Sequence, residues 1–244
     1  MCVCMSVKRL IKSIIPKNLL ELYRDIKNKR KTYYGHHNLD KKLKKYLDYE
    51  KGFYVELGAN DGIRQSNTFY YEKNLNWRGI LVEPIKLKYL KCLKNRSSKN
   101  YVYNNACVGF KFKNKKIKMI YSDLMSSIDD KNIINKVNSK KHAQEGKKYL
   151  LDNEKIEEFW VNTKTLDDIF QEVNAPKLID FLSLDVEGSE LEVLNGVNFT
   201  IYNFKFILVE SREDNEIIKF LNNKNYDLLE KISKRDLFFT YRKL

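Results

Sequence analysis

The hydrophobic positions of this chain fall into a regular succession. From Leu39 onward, apolar runs of strand length alternate with segments whose apolar residues recur every three to four positions. The pattern predicts a helix through "LDKKLKKYLDYEKG", a strand at "FYVELG", a helix near 66–74 and a strand at "GILVEP". A helix at about 86–95 follows, then a strand "YVYNNACVG" and a lysine-rich strand "KKIKMIYS". "TLDDIFQEVNA" predicts a helix with Thr165 as its N-cap and Asp168 at the third helical position, where a capping-box acid sits. The segments "KLIDFLSLDVEG", "SELEVLNGVNF", "FKFILVES", "REDNEIIKFLNNKN", "YDLLEKI" and "DLFFTYRK" continue as strand, helix, strand, helix, strand, strand. Such alternation predicts a parallel α/β sheet, and the closing pair without a helix predicts an antiparallel hairpin at one edge.

Two stretches depart from this rhythm. Val7, Leu10, Ile11, Ile14 and Ile15 follow helical spacing, as do Leu19, Leu22, Tyr23 and Ile26, with Pro16 dividing them. Residues 1–38 thus read as a basic amphipathic helical segment ahead of a domain over 39–244. Its two readings are an anchor on an acidic membrane surface or partner, and a helix pair packed on the domain with its basic face in water. The second stretch, at about 128–160, is long, polar and weakly periodic, and reads as a mobile insertion or lid.

Composition sharpens part of this picture. The 43% hydrophobic and 32% charged residues are those of a folded, water-facing protein. The net charge of +14 is uneven: residues 1–51 hold 14 Lys/Arg against 5 Asp/Glu, the rest 32 against 27. The positive field therefore belongs mainly to the N-terminal segment, where nucleic acid or an anionic membrane could use it; a lysine-rich composition without any such partner explains it equally well. Cys2, Cys4, Cys92 and Cys107 show neither a disulfide framework nor zinc-ligand spacing, which favours a reducing, cytoplasmic setting. No run approaches the roughly 18 apolar residues of a membrane span. The start also lacks the continuous apolar core and cleavage site of a signal peptide.

The chemistry concentrates in "FYVELGANDGIRQSNTFYYEKNLNWRGILVEP". Gly58 and Gly62 free the backbone after the first strand for tight turning and close ligand approach. Glu83 ends the second strand roughly twenty residues later, where an acid bonds both hydroxyls of a ribose. Glu56, inside the first strand, would repel a pyrophosphate but suits a ligand with a cationic amino group. S-adenosylmethionine combines an α-amino group, a sulfonium and a ribose, and two acids placed this way fit its two ends. The bland alternative is that Glu56 pairs with a protein cation and Gly58 is a plain turn.

Later strand ends add candidates. Asn105 and Ala106 follow the third strand, where an amide and a small residue suit the edge of an adenine. Asp185 and Glu187 close the "DFLSLDVEG" strand, and period-two alternation aims them to one side. Glu210 ends the next strand and can join them. Three converging carboxylates could hold a divalent cation such as Mg, bind substrate hydroxyls or supply a general base.

With these residues in hand, the chain resembles the FkbM family of S-adenosylmethionine-dependent methyltransferases. The stretch just quoted looks like that family's cofactor half, including Ser66-Asn67-Thr68 and Trp77-Arg78-Gly79, while "SSID", "TLDDI" and "DFLSLDVEGSELEVLNG" resemble its second half. The likeness spans about residues 50–212. It implies a class I, Rossmann-like methyltransferase fold: a mostly parallel seven-stranded sheet with helices on both faces and an antiparallel edge hairpin. It implies cofactor contacts at Glu56, Gly58, Asn60, Asp61 and Glu83, loop support from Asn67, and adenine contacts at Asn105 and Ala106. Ser126 and Ser127 would lie near the substrate, with Asp185, Glu187 and Glu210 facing the acceptor. The implied acceptor is a hydroxyl of a sugar, glycan or related small molecule.

A hydroxyl needs its proton removed as it attacks, and Asp185 or Glu187 is expected to take it while Glu210 holds neighbouring hydroxyls. His142, on the expected lid, is an alternative base, although a histidine among lysines ordinarily lies in solvent. Three other readings compete. A protein or nucleic-acid methyltransferase draws on the basic charge, but "DVEG" stands where an amine-methylating tetrad would be. A non-catalytic module, a cofactor-binding fold that partners a glycan-assembly complex through the N-terminal helices, is opposed by the intact cofactor acids. A nicotinamide dehydrogenase is opposed by Glu56.

Overall fold

The computed structural model describes residues 31–151 and 154–243, together with Leu19. The expected N-terminal helices lie outside the described residues apart from Leu19, which is helical and exposed. The elements are α1 (Leu39–Leu47), β1 (Phe53–Leu57), α2 (Phe69–Leu75), β2 (Arg78–Val82), α3 (Lys86–Asn95), β3 (Tyr101–Tyr103) and β4 (Ala106–Cys107). They continue as β5 (Lys116–Tyr121), β6 (Ser127–Ile128), α4 (Ser139–Gly146), β7 (Glu157–Lys164), α5 (Leu166–Glu172) and β8 (Leu178–Leu184). The chain closes with α6 (Glu190–Leu194), β9 (Asn203–Glu210), α7 (Asp214–Asn222), β10 (Tyr226–Lys231) and β11 (Asp236–Tyr241).

Seven strands form the main sheet in the order β10-β11-β9-β8-β1-β2-β3. All neighbours are parallel except β11, which runs antiparallel to both β9 and β10. The mostly parallel α/β sheet with an antiparallel edge is thus the one that the sequence predicts. The strands read as nearly continuous apolar runs because both faces are covered. Phe53, Val55 and Leu57 of β1 enter one core with Ile169 and Phe170 of α5, Val193 of α6 and Leu221 of α7. Tyr54, between them, enters the opposite core with Leu43 and Leu47 of α1, Tyr71 of α2 and Cys92 of α3. Thr165 caps α5 as expected, accepting a bond from the Asp168 amide while Asp168 accepts one from the Thr165 amide.

Three expectations change. "YVYNNACVG" is two strands: β3 edges the main sheet, whereas β4 pairs with β7 in a second sheet of order β4-β7-β5-β6. The break falls where the Asn104 side chain donates to the carbonyls of Glu83 and Pro84, so the chain turns a corner instead of running on. The polar insertion holds ordered structure. It carries α4, whose Ala143 and Gly146 sit against the Ser122–Met125 turn, and its ends belong to β6 and β7. Its apolar residues are too few for a visible period because only one face of one short helix is buried. Finally, residues 33–38 belong with the domain: Tyr34 is buried in the core, and His36 and His37 face the cleft described next.

Candidate active site

Strand order reverses between β1 and β8: β2 and β3 lie on one side, β9 and β11 on the other. The crevice beyond the carboxyl ends of such a pair is where an open α/β sheet binds ligands. A cleft of about 520 Å³ opens there. Gly58 leaves β1 with a φ of +75°, and a β-carbon on it would overlap the carbonyl oxygen of Asp185, which follows β8. The two loops that wall the cleft therefore touch through bare backbone.

On the β1–β2 side the cleft is lined by Gly58, Asn60, Asn67, Glu83, Asn105 and Ala106. The buried carboxylate of Glu83 accepts one amide bond on each oxygen, from Asn60 at 2.8 Å and Ile85 at 2.8 Å. A carboxylate oxygen has two acceptor positions, so one remains on each for a diol. Burial pushes the Glu83 carboxyl up, an effect that Lys88 opposes. Asn60 Nδ2 and Asn67 Oδ1 are buried without a hydrogen-bond partner among the described residues. An unused donor and an unused acceptor beside a carboxylate suit a ligand with a carboxylate, an ammonium and a ribose, which is the polar inventory of S-adenosylmethionine. The donor set therefore fits that cofactor.

Glu56 does not join this lining, contrary to the expectation of direct cofactor contact. One of its oxygens accepts from Ser66 Oγ (2.8 Å) and Thr68 Oγ1 (2.6 Å), the other from the Asn67 amide (2.8 Å). Arg96, fully buried, completes the set at 3.4 Å. The same guanidinium donates to Glu72 at 2.6 Å, the Gly62 carbonyl at 2.8 Å, Tyr54 Oη at 2.7 Å and Thr68 Oγ1 at 2.8 Å. Glu56 thus holds the Ser66-Asn67-Thr68 run, and through it Asn67, beside the cleft. Asp61 is likewise outside the lining, and its Oδ1 accepts from the Ile63 and Arg64 amides, which shapes the loop.

Across the cleft, Asp185, Glu187 and Glu210 bring their oxygens within 4.8 Å of one another. Strand alternation is not the cause. β8 ends at Leu184, and Glu187 adopts a φ of +56°, so the turn itself brings the acids together. Glu190 holds that turn by accepting from the Val186 and Gly188 amides, and burial raises its carboxyl to about 7. Glu192 accepts from the amides of Gly109 and Ile134, tying the insertion to the same loop.

Glu187 accepts from His142 Nε2 at 2.8 Å and from Arg212 at 2.7 Å, and Glu210 from Arg235 at 3.3 Å. His142 is therefore buried and engaged, not solvated. Among the described residues no cation pairs with Asp185. Asp185 is itself exposed at the cleft, and the protein packed around it together with the charges of Glu210 and Glu187 shifts its carboxyl upward. Since protein cations already meet two of the three acids, the arrangement lends no support to a divalent cation. Ser126 faces the cleft but its hydroxyl is spent on the Asp123 carbonyl and the Ser122 amide. Ser127 is buried, its hydroxyl without a partner among the described residues, and is not part of the lining.

Arg96, Arg212, Arg235, Glu190 and His142 carry the site, yet only His142 is singled out by sequence reasoning. One signal was available for the arginines. The chain has nine against a far larger number of lysines, and a planar fork is retained where several acceptors must be met at once. Of the six arginines at 64, 78, 96, 212, 235 and 242, all but Arg78 contact a carboxylate.

Residues 56–228 match the methyltransferase FkbM domain family. No curated protein matches the chain in sequence. Among solved structures it is similar to a methyltransferase from Geobacter sulfurreducens, at 8% identity and a TM-score of 0.44 over 97% of this chain and 96% of that one. It is also similar to a precorrin-6y C5,15-methyltransferase from Geobacter metallireducens, at 11% identity and a TM-score of 0.39 over 86% and 89% of the two chains. A putative tRNA (m1A22) methyltransferase from Streptococcus pneumoniae aligns at 11% identity and a TM-score of 0.37 over 82% and 69%. Likenesses at this level add nothing to what the sheet order and the family match establish. By the match over residues 56–228, which is well over half its length, the chain belongs to the FkbM methyltransferase family.

Proposed function

We propose that this protein is an S-adenosylmethionine-dependent O-methyltransferase whose acceptor is a hydroxyl of a sugar, glycan or related small molecule. The observation that carries the reading is the single cleft in which Glu83, with spare acceptor positions, faces the cluster of Asp185, Glu187 and Glu210. S-adenosylmethionine, held by these residues, would supply an electrophilic methyl group to an attacking hydroxyl oxygen. Glu83 holds the ribose hydroxyls, and Asn60 and Asn67 offer the donor and acceptor for the amino-acid end. Asp185 takes the hydroxyl proton: it is the acid without a cationic partner among the described residues, and a raised carboxyl is a stronger base once ionised. Glu187, fixed by Arg212 and His142, and Glu210, held by Arg235, accept bonds from neighbouring hydroxyls and align the attacking oxygen. We place the protein in the cytoplasm, a setting that the free, buried thiols of Cys92 and Cys107 suit. Among the described residues no helix is long and apolar enough to cross a membrane.

The test is transfer of labelled methyl groups to a panel of sugars, nucleotide sugars and glycans, with amine and RNA acceptors alongside, with and without magnesium. Product on hydroxyl acceptors, independent of magnesium, is expected. Transfer confined to amines or nucleic acid overturns the reading.

A further inference from the structure

Helix α3 carries an apolar stripe that none of the other described residues covers. Leu87 is 72% exposed, Leu90 48% and Leu93 45%. Their spacing of three puts them along one side of the helix, while Cys92 on the opposite side is fully buried in the core. At 100° per residue, the arc that holds these leucines also holds Lys86 and Lys94, both exposed. The outward face is therefore leucine and lysine in alternation.

The surrounding charge is one-sided. Residues 84–122 hold ten lysines and one arginine without a single Asp or Glu. Arg96 is spent in the core, Lys88 pairs with Asp123, and Lys118 pairs with Asp129 and Glu158. Lys99, just beyond α3, is exposed like Lys86 and Lys94. It lies between α3 and β3, the edge strand of the main sheet. Helix α3 also shares a sheet face with α1 and α2, the layer against which Tyr33 and Tyr34 pack as the chain arrives from its basic N-terminal segment.

We propose that α3 is a membrane-docking face that lays Leu87, Leu90 and Leu93 into the headgroup boundary of an anionic bilayer. Lysine stems extend along the leucines while the ammonium groups reach the lipid phosphates. A second copy of the chain is disfavoured, because it would set lysine against lysine with no acid in the stripe to answer it. Nucleic acid would use the charge but leave the leucines in water.

Flotation of the full-length protein with phosphatidylcholine–phosphatidylglycerol vesicles tests this, with neutral phosphatidylcholine vesicles as the control. The variants are Leu87→Ser/Leu90→Ser/Leu93→Ser and Lys86→Gln/Lys94→Gln. None of these five residues lines the cleft, so cofactor affinity and the thermal transition report that each variant is folded. The expected result is binding to anionic vesicles that weakens with salt and falls at least about tenfold in the leucine variant. Vesicle binding unchanged by the leucine substitutions assigns the attachment to the N-terminal segment and overturns the proposal. So does a wild-type protein that ignores vesicles, whether it dimerises through the stripe, binds RNA or does neither.

Discussion

Gly58 and Asp185 meet through bare backbone: any β-carbon at Gly58 would occupy the space of the Asp185 carbonyl oxygen. The loop that shapes the cofactor half and the loop that carries the proposed base are thereby packed as one unit. Gly58→Ala combines that overlap with a left-handed φ, which alone costs about 1–2 kcal/mol. A lowered thermal transition is expected, with loss of S-adenosylmethionine binding by calorimetry at temperatures where the protein remains folded.

Arg96 has six bonds inside the core, two of them to the carboxylates of Glu56 and Glu72. Truncating one partner of a buried ion pair leaves the other charge uncompensated, at about 3–5 kcal/mol. Arg96→Met should therefore unfold in markedly less urea than wild type. Arg96→Lys keeps the charge but not the fork, and should retain the fold while weakening cofactor affinity through the loosened Asn67. Equal cofactor affinity in the lysine variant would show that the loop needs charge alone.

Asp185→Asn keeps shape and removes the base, so turnover should drop by about 10²–10⁴ with cofactor affinity kept. In the wild type the carboxyl is raised by the protein packed around it and by Glu210 and Glu187. A base works when ionised, so the rate should climb with pH, with its acid limb above the ordinary carboxylate range. An unchanged rate and unchanged acceptor binding in Asp185→Asn would remove the residue from the mechanism.

His142 anchors α4 of the insertion to Glu187. His142→Ala should raise the acceptor KM and speed proteolysis within 130–150, whereas His142→Gln, which can still donate, should restore both. If proteolysis is unaffected by the alanine change, the bond does not hold the insertion down.

Glu190 gives a stability test with a defined sign. Its folded carboxyl is raised from 4.5 to about 7, so the folded state holds the proton over a range where the unfolded chain has released it. Stability therefore falls as pH rises from about 4.5 to about 7, and Glu190→Gln should flatten that slope in urea melts.

Much of the architecture was legible because each signal is local. The apolar strands, the Thr165–Asp168 cap and the antiparallel closing pair follow from spacing and from short-range hydrogen bonding. The paired glycines likewise announce a loop that needs bare backbone. What stayed hidden depends on partners far apart in the chain. β4 leaves the main sheet because Asn104 turns the corner against Glu83 and Pro84, and the insertion orders because its few apolar residues meet the Ser122–Met125 turn.

Glu56 shows the division most clearly. An acid two residues before a glycine, with a second acid closing the next strand, pointed to the expected ligand from sequence alone, and the resemblance of the longer motifs pointed to the family. Which acid faces that ligand was decided only by tertiary packing. A carboxylate's role is set by the donors that reach it, and Ser66, Asn67, Thr68 and the distant Arg96 fill Glu56 while Glu83 keeps free positions. The same holds across the cleft, where arginines reach Glu187 and Glu210 but, among the described residues, none reaches Asp185. Sequence spacing carries no information about those long-range contacts, because they form only when the sheet brings the loops together.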